Sequence, residues 1–274
     1  MQNLYFCKKR NMKICFSYSA DENYYAYVKN SINSLVKNAP NVYANIDLVD
    51  FNQTYINFVD SNKIKFNYIF PKVPSNKITI KNKGCEALKE RTVSLTGAYA
   101  NLRKVYNIYN LLLTNEYDYV VNMDADNLIL KNVEEYITRL PPGFDIHIKY
   151  NEGKLVGNEL IRRKDNFKHF NTVDVESIDK HFREGCMVVS NTENARKFFK
   201  IVADNILSKI VWYGDSYWIS YAYSLKKDEI KINRLPEDFV IYDLNKTNIN
   251  TAYVCSGYGM NKHSNLYKQL IADE

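Results

Sequence analysis

The chain has 274 residues, 46% hydrophobic and 25% charged, with 37 Lys and Arg against 31 Asp and Glu for a formal net charge of +6. That composition excludes a disordered or bilayer-spanning protein, since no window approaches the roughly 18 to 20 uninterrupted apolar residues that a membrane helix needs. No basic cluster exceeds three residues, so the positive charge reads as a solvated surface and nucleic acid is not an expected partner. In Met1 to Lys13 the basic Lys8, Lys9 and Arg10 follow the few apolar residues, the wrong order for a secretory signal, and a cytoplasmic location is expected. Cys7, Cys15, Cys85, Cys186 and Cys255 are odd in number and never spaced C-x-x-C, which predicts free, mostly buried thiols rather than a disulfide or zinc framework.

In chain order, the apolar run Lys13 to Ser19 predicts a strand, and Tyr24, Val28, Ile32 and Leu35 at helical spacing predict a helix that Asn38 and Pro40 stop. Alternation marks strands around Ile46 and Leu48 and from Ile64 to Phe70. Leu95, Tyr99, Leu102, Tyr106, Tyr109 and Leu113 recur in the 4-3-4-3-4 rhythm of one long amphipathic helix. Tyr119 to Met123 is a buried-strand run broken by Asp124-Ala125-Asp126, after which Leu128 to Leu130 resumes. Phe144, Ile146, Ile148 and Tyr150 alternate as a further strand, and the polar, aperiodic stretch 151–180 reads as a functional loop or lid.

A buried strand at Cys186 to Val189 then leads, through a cap at Asn191 or Thr192, into a helix carrying Ala195, Phe198, Phe199, Val202 and Ile206. Tyr213-Gly214-Asp215 opens an aromatic helix, and Ile230 to Leu235 and Phe239 to Tyr242 are strand-like. Strands alternating with helices imply one α/β domain over residues 1–274, with a mainly parallel sheet covered on both faces and ligands outside the carboxyl ends of its strands.

Asp124 and Asp126 therefore stand together at the rim where such a sheet binds ligands. Two like charges there call for a cation, and oxygen ligands suit Mn²⁺ or Mg²⁺, which takes its remaining ligands from water and substrate phosphates. A nucleotide diphosphate is the partner this implies. The opposite possibility, acids that merely cap a turn, is open on the triplet alone.

The segment Ser19-Ala20-Asp21-Glu22-Asn23-Tyr24, together with the acidic triplet, resembles the retaining GT-A glycosyltransferases related to glycogenin and to the bacterial lipopolysaccharide galactosyltransferases (glycosyltransferase family 8). In that family Ala-Asp-x-x-Tyr closes the first strand, and Ala20, Asp21 and Tyr24 match it. The resemblance implies that Asp21 accepts a hydrogen bond from uracil, Asn23 helps hold the nucleoside and Tyr24 packs on the base, although Asp21 also stands where it can cap the next helix. It implies further that Arg103 binds donor-sugar hydroxyls or the diphosphate, that Gly185 allows close approach beside the donor sugar, and that Asp215 lies near the reacting carbon, with Arg103 and Asp215 as the catalytic pair. Asp124, Ala125 and Asp126 would hold the metal and donor, and Gly257 and Lys262 the diphosphate. Two departures stand out: Ser216 replaces the family's Gln after Asp215, and no histidine precedes Gly257, which leaves His263 as the candidate third metal ligand beside Asp124 and Asp126.

The expected activity is metal-dependent, retaining transfer of a sugar from a nucleotide-diphosphate sugar, with UDP as the carrier, to a saccharide, lipid-linked or protein acceptor. A haloacid-dehalogenase-like phosphatase is disfavoured because its Asp-x-Asp belongs near the first strand, whereas about 120 residues precede this one. A nucleotidyltransferase needs a Gly-rich loop that Ser19 to Tyr24 lacks, and a non-catalytic sugar- or nucleic-acid-binding module gives no reason for the paired acids.

Overall fold

The computed structural model describes residues 12–51, 62–72, 77–81, 90–154, 156, 160, 163, 164, 167, 170, 178–244, 249–257 and 263–272, with backbone alone at 77–81 and 90–92. Seven strands form the main sheet: β1 (Ile14–Asp21), β2 (Tyr43–Val49), β3 (Ile64–Ile69), β6 (Tyr119–Met123), β8 (Ile146–Glu152), β9 (Lys180–Ser190) and β10 (Ile232–Arg234), in the order β10-β8-β9-β6-β1-β2-β3. Four of the six pairings are parallel, and only β9 runs against its neighbours. A hairpin of β4 (Lys77–Lys81) and β5 (Glu90–Ser94) and a small sheet of β11 (Val240–Ile241), β12 (Val254–Ser256) and β7 (Asn127–Ile129) complete the strands. The hairpin has no counterpart in the sequence expectations.

Helices α1 (Tyr25–Asn38), α2 (Leu95–Leu113), α3 (Val133–Ile137), α4 (Glu193–Ile206), α5 (Gly214–Lys226) and α6 (Asn265–Ala272) accompany the sheets. Successive side chains of a strand point to opposite faces, and the core divides accordingly. Val120 and Met187 join Leu102, Ile108, Phe198 and Tyr217 on one side, and Val121 and Val188 join Phe16, Val28 and Ile32 on the other. The caps follow side-chain chemistry: Ser94 Oγ accepts from Gly97 N at 2.9 Å to start α2, and Thr192 Oγ1 accepts from Ala195 N at 3.1 Å to start α4.

The bounds of α2 agree with its sequence rhythm, but its buried face does not. Ala98, Leu102, Val105, Ile108 and Leu112 are fully buried, whereas Tyr99, Tyr106 and Tyr109 are only partly so and Leu113 is 50% exposed. Tyrosine covers apolar surface with its ring while its hydroxyl stays near water, so a row of tyrosines marks the flank of the stripe rather than its centre. Of the stretch 151–180, residues 151 and 152 belong to β8 and residue 180 to β9, and most of the expected loop lies outside the described residues. Among the described residues no helix is long and apolar enough to cross a membrane. Cys15, Cys186 and Cys255 are free and buried as expected, and Cys7 and Cys85 lie outside the described residues.

Candidate active site

Strands β1, β2, β3 and β6 run parallel, so they deliver their carboxyl ends to one edge, and there a cleft opens. Its lining draws Ser19, Ala20, Asp21 and Tyr24 from the end of β1, Gly97, Ala100, Asn101 and Lys104 from α2, Asp124, Ala125 and Asp126 from the turn after β6, and Trp212 from the approach to α5. The two motifs singled out in the sequence, about 100 residues apart, thus share one wall-to-wall space.

The acidic turn is fixed by two strand registers. Antiparallel pairing of β6 with β9 sets Met123 against Cys186, which brings Gly185 beside Asp124, and Asp124 N donates to Gly185 O at 2.8 Å. Antiparallel pairing of β7 with β12 sets Asn127 against Ser256, which brings Gly257 beside Asp126, and Gly257 N donates to Asp126 O at 2.9 Å. A Cβ at Gly185 would strike the Asp124 carboxylate, and one at Gly257 would lie 2.6 Å from Asp126 O. At Gly257 the obstacle is backbone, which only glycine clears, whereas a side chain at Gly185 would have to push the Asp124 carboxylate aside. The buried Tyr267 of α6 adds a hydrogen bond from its hydroxyl to Asp126 O at 2.5 Å.

At the other end of the cleft Asp21 is 4% exposed. It makes no side-chain cap to the 3₁₀ turn that follows; its Oδ2 instead accepts from Asn23 Nδ2 at 3.1 Å and from Ser94 Oγ at 3.3 Å. Its Oδ1 is buried without a hydrogen-bond partner among the described residues. A carboxylate oxygen in that condition is costly to bury and suits an arriving N–H donor.

Arg103 requires a correction. Its guanidinium does not line the cleft: Nε and the terminal nitrogen hold Asp47 Oδ2 of β2 at 2.9 and 2.7 Å, and the group lies 4.7 Å from the Tyr106 ring. One residue is a 100° turn on a helix, so while Gly97, Ala100, Asn101 and Lys104 face the cleft, position 103 faces β2. The basic group on the cleft wall is Lys104, which the sequence reading missed. Its position on the buried flank of α2, between Asn101 and Asn107, is visible once Ala98, Val105, Ile108 and Leu112 define the stripe.

Lys104 is 3% exposed, and its Nζ contacts Asp124 Oδ1, donates to Asn101 Oδ1 at 2.7 Å and lies 3.7 Å from Asp215 Oδ2. Burial alone would pull its ammonium down, but Asp124 and then Asp215 hold it above the usual lysine range. Asp215 lies in the first turn of α5 just behind this wall and accepts from Asn101 Nδ2 at 3.0 Å. Burial raises the Asp215 carboxyl, with Lys104 opposing, and burial with the Asp215 charge pushes the neighbouring Glu184 up to about 7.

The remaining candidates divide. His263 is exposed, one residue before the turn into α6, and Lys262 lies outside the described residues. Among the described residues no group of three or more His, Cys, Asp and Glu side chains is gathered to hold a metal ion, so the trio Asp124, Asp126 and His263 is not assembled. The donor set still fits a hard cation in kind: paired carboxylates at a strand end, with glycines kept clear of them on both sides, leave the rest of a coordination shell to water and phosphate oxygens.

No family model and no curated protein sequence matches the chain. Solved structures do. The galactosyltransferase LgtC, in complex with donor and acceptor sugar analogues, is similar at a TM-score of 0.50 and 13% identity, over 96% of this chain and 96% of that one. The bifunctional glycosyltransferase WbbM in its apo form is similar at a TM-score of 0.50 and 14% identity, over 96% of this chain and 50% of its own. At such identities the likeness shows the fold, which is the α/β architecture of the GT-A glycosyltransferases.

Proposed function

We propose that the protein is a glycosyltransferase that uses a nucleotide-diphosphate sugar, with UDP as the carrier, and transfers the sugar with retention to an acceptor hydroxyl. The observation that carries this reading is the shared cleft, which Asp21 and Tyr24 line together with the paired carboxylates Asp124 and Asp126. The likeness to LgtC and WbbM, both named as glycosyltransferases, supports it.

In this reading Asp21 Oδ1, which has no hydrogen-bond partner among the described residues, accepts the imide N–H of uracil while the Tyr24 ring packs on the base. Asn23 keeps the Asp21 carboxylate in place through its 3.1 Å hydrogen bond. Asp124 and Asp126 would hold Mn²⁺ or Mg²⁺, which when bound would supply the positive charge that the departing diphosphate requires. Lys262 would clamp the diphosphate, and Gly257 would let it approach the backbone. Asp215, tied by Asn101 and beside Lys104, would orient the donor sugar near the reacting carbon. Arg103, occupied by Asp47, has no place in this scheme except to steady α2.

Incubation with a panel of UDP-sugars and Mn²⁺ tests the reading through release of UDP. At least one donor is expected to be hydrolysed slowly without an acceptor, and Asp126→Ala is expected to abolish that release while leaving the melting temperature within a few degrees of wild type. An active Asp126→Ala variant would sink the assignment.

A further inference from the structure

The charges in the cleft do not balance in the way that two carboxylates awaiting a cation would suggest. Asp124 already has one: Lys104 Nζ contacts its Oδ1, at a side chain that is only 4% exposed. Lys104 is also anchored on its other side, since Asn101 Oδ1 accepts from it at 2.7 Å and Asn101 Nδ2 in turn holds Asp215 Oδ2 at 3.0 Å. The main chain beneath it is pinned, because Ser17 Oγ of β1 donates to Lys104 O at 3.0 Å. What can move is the end of the side chain. Asp215 Oδ2 waits 3.7 Å from Nζ, about 1 Å beyond a charge-assisted hydrogen bond.

We propose that Lys104 is a resident counter-ion that occupies Asp124 in the empty site and passes to Asp215 when a metal-bound nucleotide takes Asp124. The inference rests on the nucleotide-sugar reading above and names a positioning residue that acts through both aspartates. Asn101 makes the exchange short, since it holds the ammonium and the receiving carboxylate at once. While the empty site keeps Asp124 neutralised, a divalent cation alone finds little net charge to bind; the diphosphate supplies the missing negative charge, so metal and nucleotide enter together. The exchange also leaves Asp215 paired when the donor sugar is next to it.

Mn²⁺ binding, followed by the loss of the free-ion electron paramagnetic resonance signal, tests this without turnover. Lys104→Met is expected to bind Mn²⁺ in the absence of nucleotide at least ten-fold more tightly than wild type. Asp215→Asn, which removes the receiving charge and has the same shape, is expected to weaken Mn²⁺ binding in the presence of UDP several-fold. That weakening should vanish in the double variant, because with no ammonium to receive, Asp215 has nothing to contribute. Unchanged or weaker nucleotide-free Mn²⁺ binding in a folded Lys104→Met, or an Asp215→Asn effect of equal size with and without Lys104, overturns the exchange and leaves the metal-bridged donor standing. If Lys104→Met does not fold, Asp215→Asn decides alone, and an Mn²⁺ affinity equal to wild type with UDP present overturns the inference. Mn²⁺ bound by no variant even with UDP overturns the exchange and the metal-bridged donor together.

Discussion

Tyr24 and Asp21 stand one 3₁₀ turn apart at the mouth of the cleft, one offering a ring face and the other a buried oxygen with no hydrogen-bond partner among the described residues. If the ring carries the base, Tyr24→Ala weakens UDP and UDP-sugar alike by about 1 to 3 kcal/mol, the worth of a base–aromatic stack. Calorimetry on the folded variant measures it, and an unchanged affinity returns Tyr24 to a packing role against Tyr27, whose ring centroid is 5.6 Å away. Glu184 makes a second test at this scale. Its carboxyl is pushed up to about 7 by burial and by Asp215, above its unfolded value, so the folded state takes up its proton first. The associated stability is fully present below about pH 4.5 and is lost as pH rises through about 7. Glu184→Gln, neutral throughout, is therefore expected to lose less stability than wild type between pH 4.5 and 8 in urea titrations. Parallel pH profiles for the two proteins would count against a buried, protonated Glu184.

At the scale of elements, α2 has two working sides that sequence rhythm does not separate. Arg103 leans on β2 and Lys104 on the cleft, although they are neighbours in the chain. Asp47 is 1% exposed, so Arg103→Ala leaves a buried carboxylate without its ion partner and is expected to cost about 3 to 5 kcal/mol of stability. UDP affinity in the surviving folded protein should stay within about three-fold of wild type, by the estimate that non-contacting sites couple by only a few tenths of a kcal/mol. A stable variant with poor UDP binding would put Arg103 back in the donor site. The extent of α2 was legible from its spacing, and β1, β6 and the acidic turn from their apolar runs. Which flank of α2 faces the cleft was not legible, because its tyrosines are half-buried and small residues such as Gly97, Ala98 and Ala100 are buried alongside Leu102, Val105 and Ile108. Nor was the reversed direction of β9, since a buried run such as Cys186 to Val189 looks the same either way along the sheet.

For the whole molecule, the order β10-β8-β9-β6-β1-β2-β3 is what converts separate motifs into a site. It sets β1 beside β6, so the Asp21 end and the Asp124 end open on one cleft, and it sets the reversed β9 beside β6, so Gly185 meets Asp124. The sequence motifs indicated the first of these meetings through resemblance. The second follows from long-range pairing that no local pattern encodes, as does the seat of Gly257 against Asp126. The central claim is that this cleft binds a nucleoside diphosphate through a cation held by Asp124 and Asp126, and titration calorimetry of UDP with and without Mn²⁺ tests it most directly. Binding is expected to be weak in the absence of the cation, where two carboxylates face the diphosphate and Lys104 already pairs with one of them, and at least ten-fold tighter at saturating Mn²⁺. Equal affinity in both conditions, or no binding in either, would contradict it.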